Sequence, residues 1–478
     1  MIQYKVTFLP QNTWVSVDGG SNLLQAQILA GLRPDAPCGG KGTCGKCRVI
    51  LDGQEVLACQ TVVDRDMTVY TRPKEEMVKI LTEGLQTDLQ PDGTDAYVLA
   101  CDIGTTTVVA YLMDGHTGTL LAQGSCINPQ GQFGADVISR IQHALKEGGD
   151  ALSACIRSAM EHLAEETAAK AGISPEQITA SAIVGNTAMH HLMLNIDPRP
   201  LVTPPYMPAV SEAMERNACR ILPNIAGFVG GDTVGCMVAT RFDRLEELSL
   251  LIDIGTNGEM VLGNRERRIA CSTAAGPAFE GARISCGMRG AEGAVDHVTL
   301  TDGEICWHTI GGGTPRGLCG SGLLDLVAVL LDAGIIDESG RMEAKQYTLC
   351  ENVTLTQKDV REVQLAKAAI RAGIELLSEK LGVQVGDIQK VYLAGAFGNY
   401  MDPASACRIG MIPPVLLDRI VPIGNAAGQG AKMCALCRAE FTYSQHLAET
   451  TEFLELASLP QFQDCYVDAL EFCEEEES

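Results

Sequence analysis

The tetrapeptide Asp-Ile-Gly-Thr occurs twice, at 102–105 in YVLACDIGTTTVVAYLMD and at 253–256 in SLLIDIGTNGEMVLGN. Each copy ends one apolar run and precedes another, so each reads as strand, tight glycine turn, strand. The repeat constrains the chain more than any composition does: from Tyr97 onward it predicts a duplication, two lobes of similar design. Around the two copies apolar strands alternate with glycine turns and helices, including a helical stretch from about 150 to 171 and the strand ITASAIVG (178–185). That alternation predicts mixed α/β layers around a central sheet.

The first seventy residues follow a different pattern. YKVTFL (4–9) and TWVSV (13–17) alternate around Pro-Gln-Asn and predict a hairpin. A helix capped by Ser21 should follow, with Leu23, Leu24, Ile28 and Leu29 as its apolar stripe and Gly31 as its end. CRVIL (47–51), EVLAC (55–59) and MTVYT (67–71) predict three more short strands, completing a small β-grasp-like α+β unit. Residues 72–94 are polar and charged, with Pro73, Pro91 and Asp92-Gly93, and read as a linker. The expected organisation is therefore a unit over 1–72, a linker over 73–96, lobes over 97–246 and 247–448, and an acidic C-terminal segment over 449–478. The terminal EEEES reads as solvated, whereas LASLPQFQDCYVDALEF before it has enough apolar residues to dock as an edge segment.

Inside the small unit, CGGKGTCGKC (38–47) with the later LACQT gives Cys38, Cys44, Cys47 and Cys59, a C-x5-C-x2-C-x11-C pattern. This is close to the plant-type spacing for a [2Fe-2S] cluster. Four thiolates must converge on two irons while backbone N–H groups point at the sulfurs, and Gly39, Gly40, Gly42 and Gly45 remove the Cβ atoms that would obstruct the wrap. A zinc site is the competing reading, but zinc favours two paired knuckles and only one C-x2-C stands here. Cys434 and Cys437 fall in an expected helix with no second pair nearby and read as structural.

The formal net charge of −24 and pI near 4.7 argue against nucleic acid as a partner, because phosphate backbones are bound by clustered Lys and Arg. The start MIQYKVTFLP is unlike a signal peptide, and no window offers about 18 unbroken apolar residues, so neither export nor a membrane is expected and the cytoplasm is. Nineteen scattered cysteines fit reduced thiols better than a disulfide framework.

Asp-Ile-Gly-Thr-Thr-Thr at 102–107 resembles the first phosphate-binding hairpin of the actin, sugar kinase and Hsp70 superfamily, and Asp-Ile-Gly-Thr-Asn-Gly at 253–258 resembles the second. The resemblance implies an RNase H-like two-lobed ATPase. It implies that Gly104, Thr105, Thr106, Gly255, Thr256 and Asn257 face ATP phosphates, while Asp102 and Asp253 hold a hydrated Mg²⁺. Glu259 joins the two aspartates as a candidate catalytic group. Gly395, Ala396, Phe397 and Gly398 in VYLAGAFGNY fit the adenosine loop, as a small-residue turn, and Gly424 and Asn425 open the helix that closes the cleft. Gly320 and Ser321 precede a helix whose N-terminus reads equally well as an anion site or as a capped core helix. His190 and His191 read as core or surface residues, since adjacent helical positions diverge by about 100°.

A low-potential ferredoxin domain fused to such an ATPase resembles the ATP-dependent reductive activators of corrinoid proteins in cobalamin-dependent methyltransferase systems. The resemblance rests on CGGKGTCGKC, DIGTTT, IVGNTAMHHLML, DIGTNGE, AAGPAFEGARI, CGSGLLD and AGAFGNY. It implies reduction of inactive Co(II) to Co(I) on a corrinoid-protein partner, an upstream low-potential electron donor, and [2Fe-2S], ATP and Mg²⁺ as cofactors; it allows a homodimer. A redox-regulated metabolite kinase is the alternative, with Asp253 or Glu259 as its base.

Overall fold

The computed structural model describes residues 2–32, 34, 36, 40, 42, 47–71 and 89–472. The N-terminal unit contains β1 (Gln3–Leu9), β2 (Thr13–Asp18), α1 (Leu23–Leu29), β3 (Arg48–Leu51), β4 (Gln54–Leu57) and β5 (Met67–Thr71). Its sheet runs β2-β1-β5-β3-β4, with β1 and β5 parallel and the other pairs antiparallel. Leu23, Leu24 and Ala26 of α1 pack onto Val6, Phe8, Val49 and Val69, so alternate strand residues and one helical stripe share a core. Asn22, rather than the expected Ser21, caps α1: its side chain accepts the Gln25 N–H at 2.9 Å, and Gln25 Oε1 accepts the Asn22 N–H in return. The predicted strand ending in Cys59 stops at Leu57; Ala58–Gln60 is a tight 3₁₀ turn that lifts Cys59 off the sheet.

The first lobe contains β6 (Tyr97–Ile103), β7 (Thr107–Asp114), β8 (Leu120–Ile127), α2 (Val137–Glu147), α3 (Asp150–Ala171), β9 (Ile178–Gly185), α4 (Thr187–Leu194), β10 (Met214–Arg216), β11 (Cys219–Ile221) and α5 (Gly231–Thr240). The second begins with β12 (Ser249–Ile254), β13 (Gly258–Gly263) and β14 (Arg268–Thr273). An insertion follows, made of β15 (Ala294–Thr301), β16 (Glu304–Thr309), β17 (Gly317–Leu318), α6 (Gly320–Asp332), β18 (Gln346–Cys350) and β19 (Val353–Thr356). The lobe resumes with α7 (Gln357–Leu381), β20 (Lys390–Ala394), α8 (Gly395–Tyr400), α9 (Pro403–Arg408), β21 (Ile420–Gly424) and α10 (Ala426–Leu436), and ends in α11 (Arg438–Glu449), β22 (Glu452–Phe453) and α12 (Phe462–Asp468).

The two sheets are wired alike. In the first, β6-β7-β8 form an antiparallel meander, β9 lies parallel to β6, and β11 lies parallel to β9. In the second, β12-β13-β14 form the meander, β20 lies parallel to β12, and β21 lies parallel to β20. The duplicated tetrapeptide sits at the same turn of each sheet, where the first strand hands over to the second. Central strands such as β6 and β12 are covered on both faces, which is why they read as unbroken apolar runs.

Two helices lie between the lobes. One shared core joins Val98, Val109 and Tyr111 of the first sheet, Val234 and Met237 of α5, Ala427 and Ala431 of α10, and Leu251, Val261 and Tyr392 of the second sheet. The crossing of α5 and α10 is possible only with glycine: a Cβ on Gly430 would stand 2.1 Å from the Gly235 carbonyl oxygen.

Beyond Glu449 the chain turns back. β22 adds to the edge of the second sheet beside β14, α12 packs on α7, and Phe472 is buried. The stretch 456–472 before the acidic tail therefore docks, but through α12 and Phe472 rather than at the sheet edge, which β22 ahead of it takes; residues 473–478, including EEEES, lie outside the described residues, as do 72–88 of the linker. Among the described residues no helix is long and apolar enough to cross a membrane.

Candidate functional site

The turn between β6 and β7 carries Gly104, Thr105 and Thr106 and is held from three directions. Asn128 donates to the Gly104 carbonyl at 2.8 Å, Arg140 to the Thr105 carbonyl at 2.6 Å, and Asn186 to the Thr105 hydroxyl at 2.9 Å. Asn186 is also the N-cap of α4, so one side chain fixes both helix and turn. Arg140 is buried, its Nε donating to the Gly134 carbonyl at 2.9 Å, and loss of hydration lowers its pKa to about 10. A guanidinium there remains charged at neutral pH, on the far side of a turn expected to meet phosphate.

The turn between β12 and β13 is built differently. Gly255 N–H donates to the Asn257 carbonyl at 2.9 Å, closing the turn on itself. Asp253, one residue from the end of β12, lies across the strand pair from Glu259, whereas its counterpart Asp102 lies across from Val109. Asp232, in the first turn of α5, joins them. Burial raises Asp253 to about 7, with repulsion from Asp102 adding; burial raises Asp232 to about 7, with repulsion from Asp253 and then Asp102 adding. Glu259 rises well above the usual carboxylate range, through burial first and then Asp232 and Asp253. Burial lifts Asp102 to about 6, against the hydrogen bond that Asn425 donates to its Oδ2 at 2.9 Å.

These shifts describe one acidic chamber whose carboxylates repel one another. A divalent cation is the group that relieves such repulsion. Among the described residues no three His, Cys, Asp or Glu side chains are arranged to hold a metal ion by themselves. A chamber of carboxylates suits an oxygen-preferring cation such as Mg²⁺.

Glu280 joins the two turns. Its Oε2 accepts the Thr106 hydroxyl and its Oε1 the Thr256 hydroxyl, each at 2.7 Å. Next to it, Phe279 stacks on Phe397 with ring centres 4.6 Å apart and planes 10° from parallel. The expected small-residue turn at Gly395–Gly398 is instead the start of α8: Gly395 takes a φ of +81°, which lets the chain leave β20 and wind immediately into a helix. A Cβ on Gly395 would stand 2.6 Å from Asp253 Oδ1, so that segment abuts the acidic chamber. Gly398 is buried, Ala396 exposed. Gly424 has a φ of +65°, and Asn425 caps α10 by accepting the Gly428 N–H at 2.7 Å while its amide donates to Asp102 and to the Tyr111 hydroxyl.

Asp102, Asp253, both glycine turns, Gly395 and Asn425 are thus brought to one cleft. Sequence reasoning missed Asp232, Glu280, Arg140, Asn128 and Asn186. Two carried a readable signal, Asp232 following Gly230-Gly231 at a helix start and Glu280 lying within AAGPAFEGA; the other three are contacts across the fold. Gly320 and Ser321 favour the core reading. The Gly320 Cα packs against the Phe279 carbonyl, and Ser321, buried, donates to the Asp296 carbonyl at 2.8 Å. His190 and His191 are buried as well; His191 bridges the Thr187 carbonyl and the Ala209 N–H. Cys434 is enclosed within α10, and burial raises its thiol above the ordinary range.

In the N-terminal unit, Cys47 immediately precedes β3 and Cys59 lies in the turn after β4. Ala58 N–H donates to the Cys47 carbonyl at 2.8 Å, so the two cysteines are neighbours at one end of the sheet, both nearly inaccessible. Gly40 and Gly42 have φ of +84° and +75°; a Cβ on Gly40 would stand 3.7 Å from the Cys59 Cβ, and one on Gly42 would meet the Gln60 side chain at 2.7 Å. Gly40 thus lies beside Cys59 and Gly42 beside Gln60, each with a left-handed φ that favours glycine. Cys38 and Cys44 lie outside the described residues.

Three domain families match in succession: "2Fe-2S iron-sulfur cluster binding domain" over residues 6–68, "RACo middle region" over 97–245, and "C-terminal domain of RACo the ASKHA domain" over 247–478. A corrinoid activation enzyme of Eubacterium limosum, RamQ, is 32% identical across 94% of this chain and 96% of its own length. The chain belongs to the RACo family. A solved structure, the "Reductive activator for corrinoid,iron-sulfur protein", superposes with a TM-score of 0.73 at 29% identity, covering 98% of both chains. The [Co(II) methylated amine-specific corrinoid protein] reductase of Methanosarcina barkeri is 30% identical over 53% of this chain and 52% of its own. Membership supports a [2Fe-2S] domain and a nucleotide-binding ASKHA domain in one chain.

Proposed function

We propose that this protein is an ATP-dependent reductive activator: it delivers one electron to a corrinoid protein and converts Co(II) to Co(I) for a methyltransferase system. The observation that carries the reading is the joining of two unlike sites in one chain, a glycine-flanked cysteine pair in the N-terminal unit and two phosphate-type turns meeting over an acidic chamber. Its full-length relatives act on corrinoid proteins, as their names state.

Cys47 and Cys59, with Cys38 and Cys44, would hold the cluster. A bound [2Fe-2S] cluster supplies a one-electron carrier, at about −400 mV for the plant type. Burial of Cys47 and Cys59 keeps water from their sulfurs. In the ATPase lobes Gly104, Thr105, Thr106, Gly255, Thr256 and Asn257 surround the phosphates. The segment from Gly395 to Gly398, with Gly424 and Asn425, lines the adenosine side. Asp102, Asp253 and Glu259, with Asp232, would hold a hydrated Mg²⁺, which would supply charge neutralisation at the phosphates.

The fusion has an energetic reason. Each 59 mV by which the cobalt couple lies below its donor is a tenfold unfavourable factor for a single electron. Nucleotide can drive the transfer only if its bound states favour different lobe arrangements, and a cleft whose two sheets share one core through α5 and α10 can express such a difference. An upstream low-potential donor must reload the protein after each transfer.

The test uses the full-length, cluster-loaded protein with a Co(II) corrinoid protein and a reductant, following cobalt by absorbance. Reduction should require ATP and Mg²⁺. An unchanged rate without nucleotide would sink the proposal, and phosphorylation of a small carboxylic acid would favour the metabolite kinase. Cys59→Ala should lose electron transfer and keep nucleotide binding, whereas Asp253→Ala should keep the cluster spectrum and lose hydrolysis.

A further inference from the structure

A hydroxyl carries a single proton and can donate one strong hydrogen bond. The Thr106 and Thr256 hydroxyls, which the reading above assigns to ATP phosphates, both donate to the Glu280 carboxylate at 2.7 Å. A phosphate oxygen and Glu280 therefore compete for the same two protons, and they are also like charges. Bound to both, Glu280 ties a turn of the first lobe to a turn of the second across the cleft. The carboxylate is carried on a short segment bounded by two glycines in the left-handed region, Gly276 at φ +78° before it and Gly281 at +74° after it, the second packed against the Met288 backbone. The same segment presents Phe279, stacked on Phe397 at the adenosine side, and the Phe279 carbonyl packs on Gly320 at the start of α6 in the insertion.

We infer that Glu280 is a positioning residue that acts as a clasp displaced by nucleotide: it closes the two phosphate turns together until ATP phosphates take their hydroxyls. Its release then frees the 276–281 segment, and through Phe279 couples occupancy of the phosphate site to the Phe397 wall and to α6. This rests on the nucleotide reading of the cleft and adds to it a named residue and a direction. Displacing an anion costs nucleotide affinity, so removing the charge should strengthen binding. A group that only orients the attacking water or Mg²⁺ would behave oppositely.

The experiment measures ADP and ATP affinity by calorimetry, and steady-state ATPase kinetics, for the full-length wild type, Glu280→Gln and Thr256→Val. Amide hydrogen exchange of 103–107 and 254–258 is followed with and without ADP. Glu280→Gln should tighten ADP binding about fivefold, the difference between a charge-assisted and a neutral hydrogen bond. In that variant without ADP, exchange in both turns should rise, and with ADP it should match the wild type. Thr256→Val, which loses one arm of the clasp and one phosphate donor together, should show raised exchange without ADP and no tightening. If Glu280→Gln leaves ADP affinity unchanged or weakens it while kcat falls, the clasp is wrong and Glu280 is a catalytic group. Should Glu280→Gln fail to fold, the exchange difference between free and ADP-bound wild type decides: equal exchange in both turns overturns the clasp, and a change confined to them supports it. Failure of the wild type to bind either nucleotide would overturn the nucleotide reading itself, and the clasp with it.

Discussion

The two phosphate-type turns begin with the same four residues and end in opposite environments. The first is held by neutral amides and a buried cation, with Asn128, Arg140 and Asn186 on its backbone and on Thr105. The second is surrounded by carboxylates, with Glu259 where the first lobe has Val109 and Asp232 alongside. The duplicated scaffold thus carries two different polar settings: amides and a guanidinium brace one turn, while carboxylates gather beside the other. Strand wiring is common to both because it depends on apolar burial, whereas the polar surroundings were free to diverge.

The largest expected effect tests that difference directly. Asp253→Asn should lower ATP hydrolysis by about a hundredfold or more, the scale of losing a metal-orienting charge, while Asp102→Asn costs about tenfold, since Asn425 already compensates Asp102. Equal losses in steady-state ATPase assays would mean that the lobes are not specialised. Next comes the brace. Arg140→Met removes hydrogen bonds to the buried Gly134 carbonyl and the part-buried Thr105 carbonyl and should destabilise the protein by about 3 kcal/mol and weaken ADP binding, as read by thermal unfolding with and without ADP. A variant that unfolds earlier but binds ADP normally would limit Arg140 to a structural role.

A third contrast is in pH. Asp253 and Asp232 titrate near 7 when folded, against 3.8 in an open chain. For an acid raised in this way, the favourable contribution is fully present below pH 3.8 and is lost as pH rises through 7. Without Mg²⁺, stability should therefore fall between about pH 4 and pH 8. Asp253→Asn should remove about 2 to 4 kcal/mol of that fall, and millimolar Mg²⁺ with ADP should flatten the remainder. A melting profile with the same pH slope in the variant would break the account of the chamber. The smallest effect lies at the far edge: Arg267 and Glu452 are both about half exposed and 3.0 Å apart, and Arg267→Ala should leave the thermal unfolding midpoint unchanged, because solvent screens the pair.

Much of this could be read along the chain. The unbroken apolar runs of β6 and β12, the repeated glycine turn and the alternation in the first seventy residues correspond to short-range rules of burial and turn chemistry. The α1 cap slipped by one residue because Ser21 and Asn22 are both good caps, and only the reciprocal bond with Gln25 distinguishes them. Gly395–Gly398 looked like an open turn because glycine marks flexibility in a sequence, yet here a single positive φ leads straight into a helix. Arg140 gave no sign of its role: on α2 it is one more basic residue, and its partners Gly134 and Thr105 meet it only when the lobe closes.

By itself the sequence determined the elements, the duplication, the cysteine pattern and the two aspartates, because each depends on neighbours a few residues away. Tertiary structure alone decided which residues share the cleft. Asn425 reaches Asp102 from more than three hundred residues away, and Glu280 touches threonines of both lobes. Such contacts depend on how the sheets close over α5 and α10, where Gly430 and Gly235 set the approach. Long-range polar pairing leaves no periodic trace in a chain, because it is fixed by the packing of apolar surfaces elsewhere.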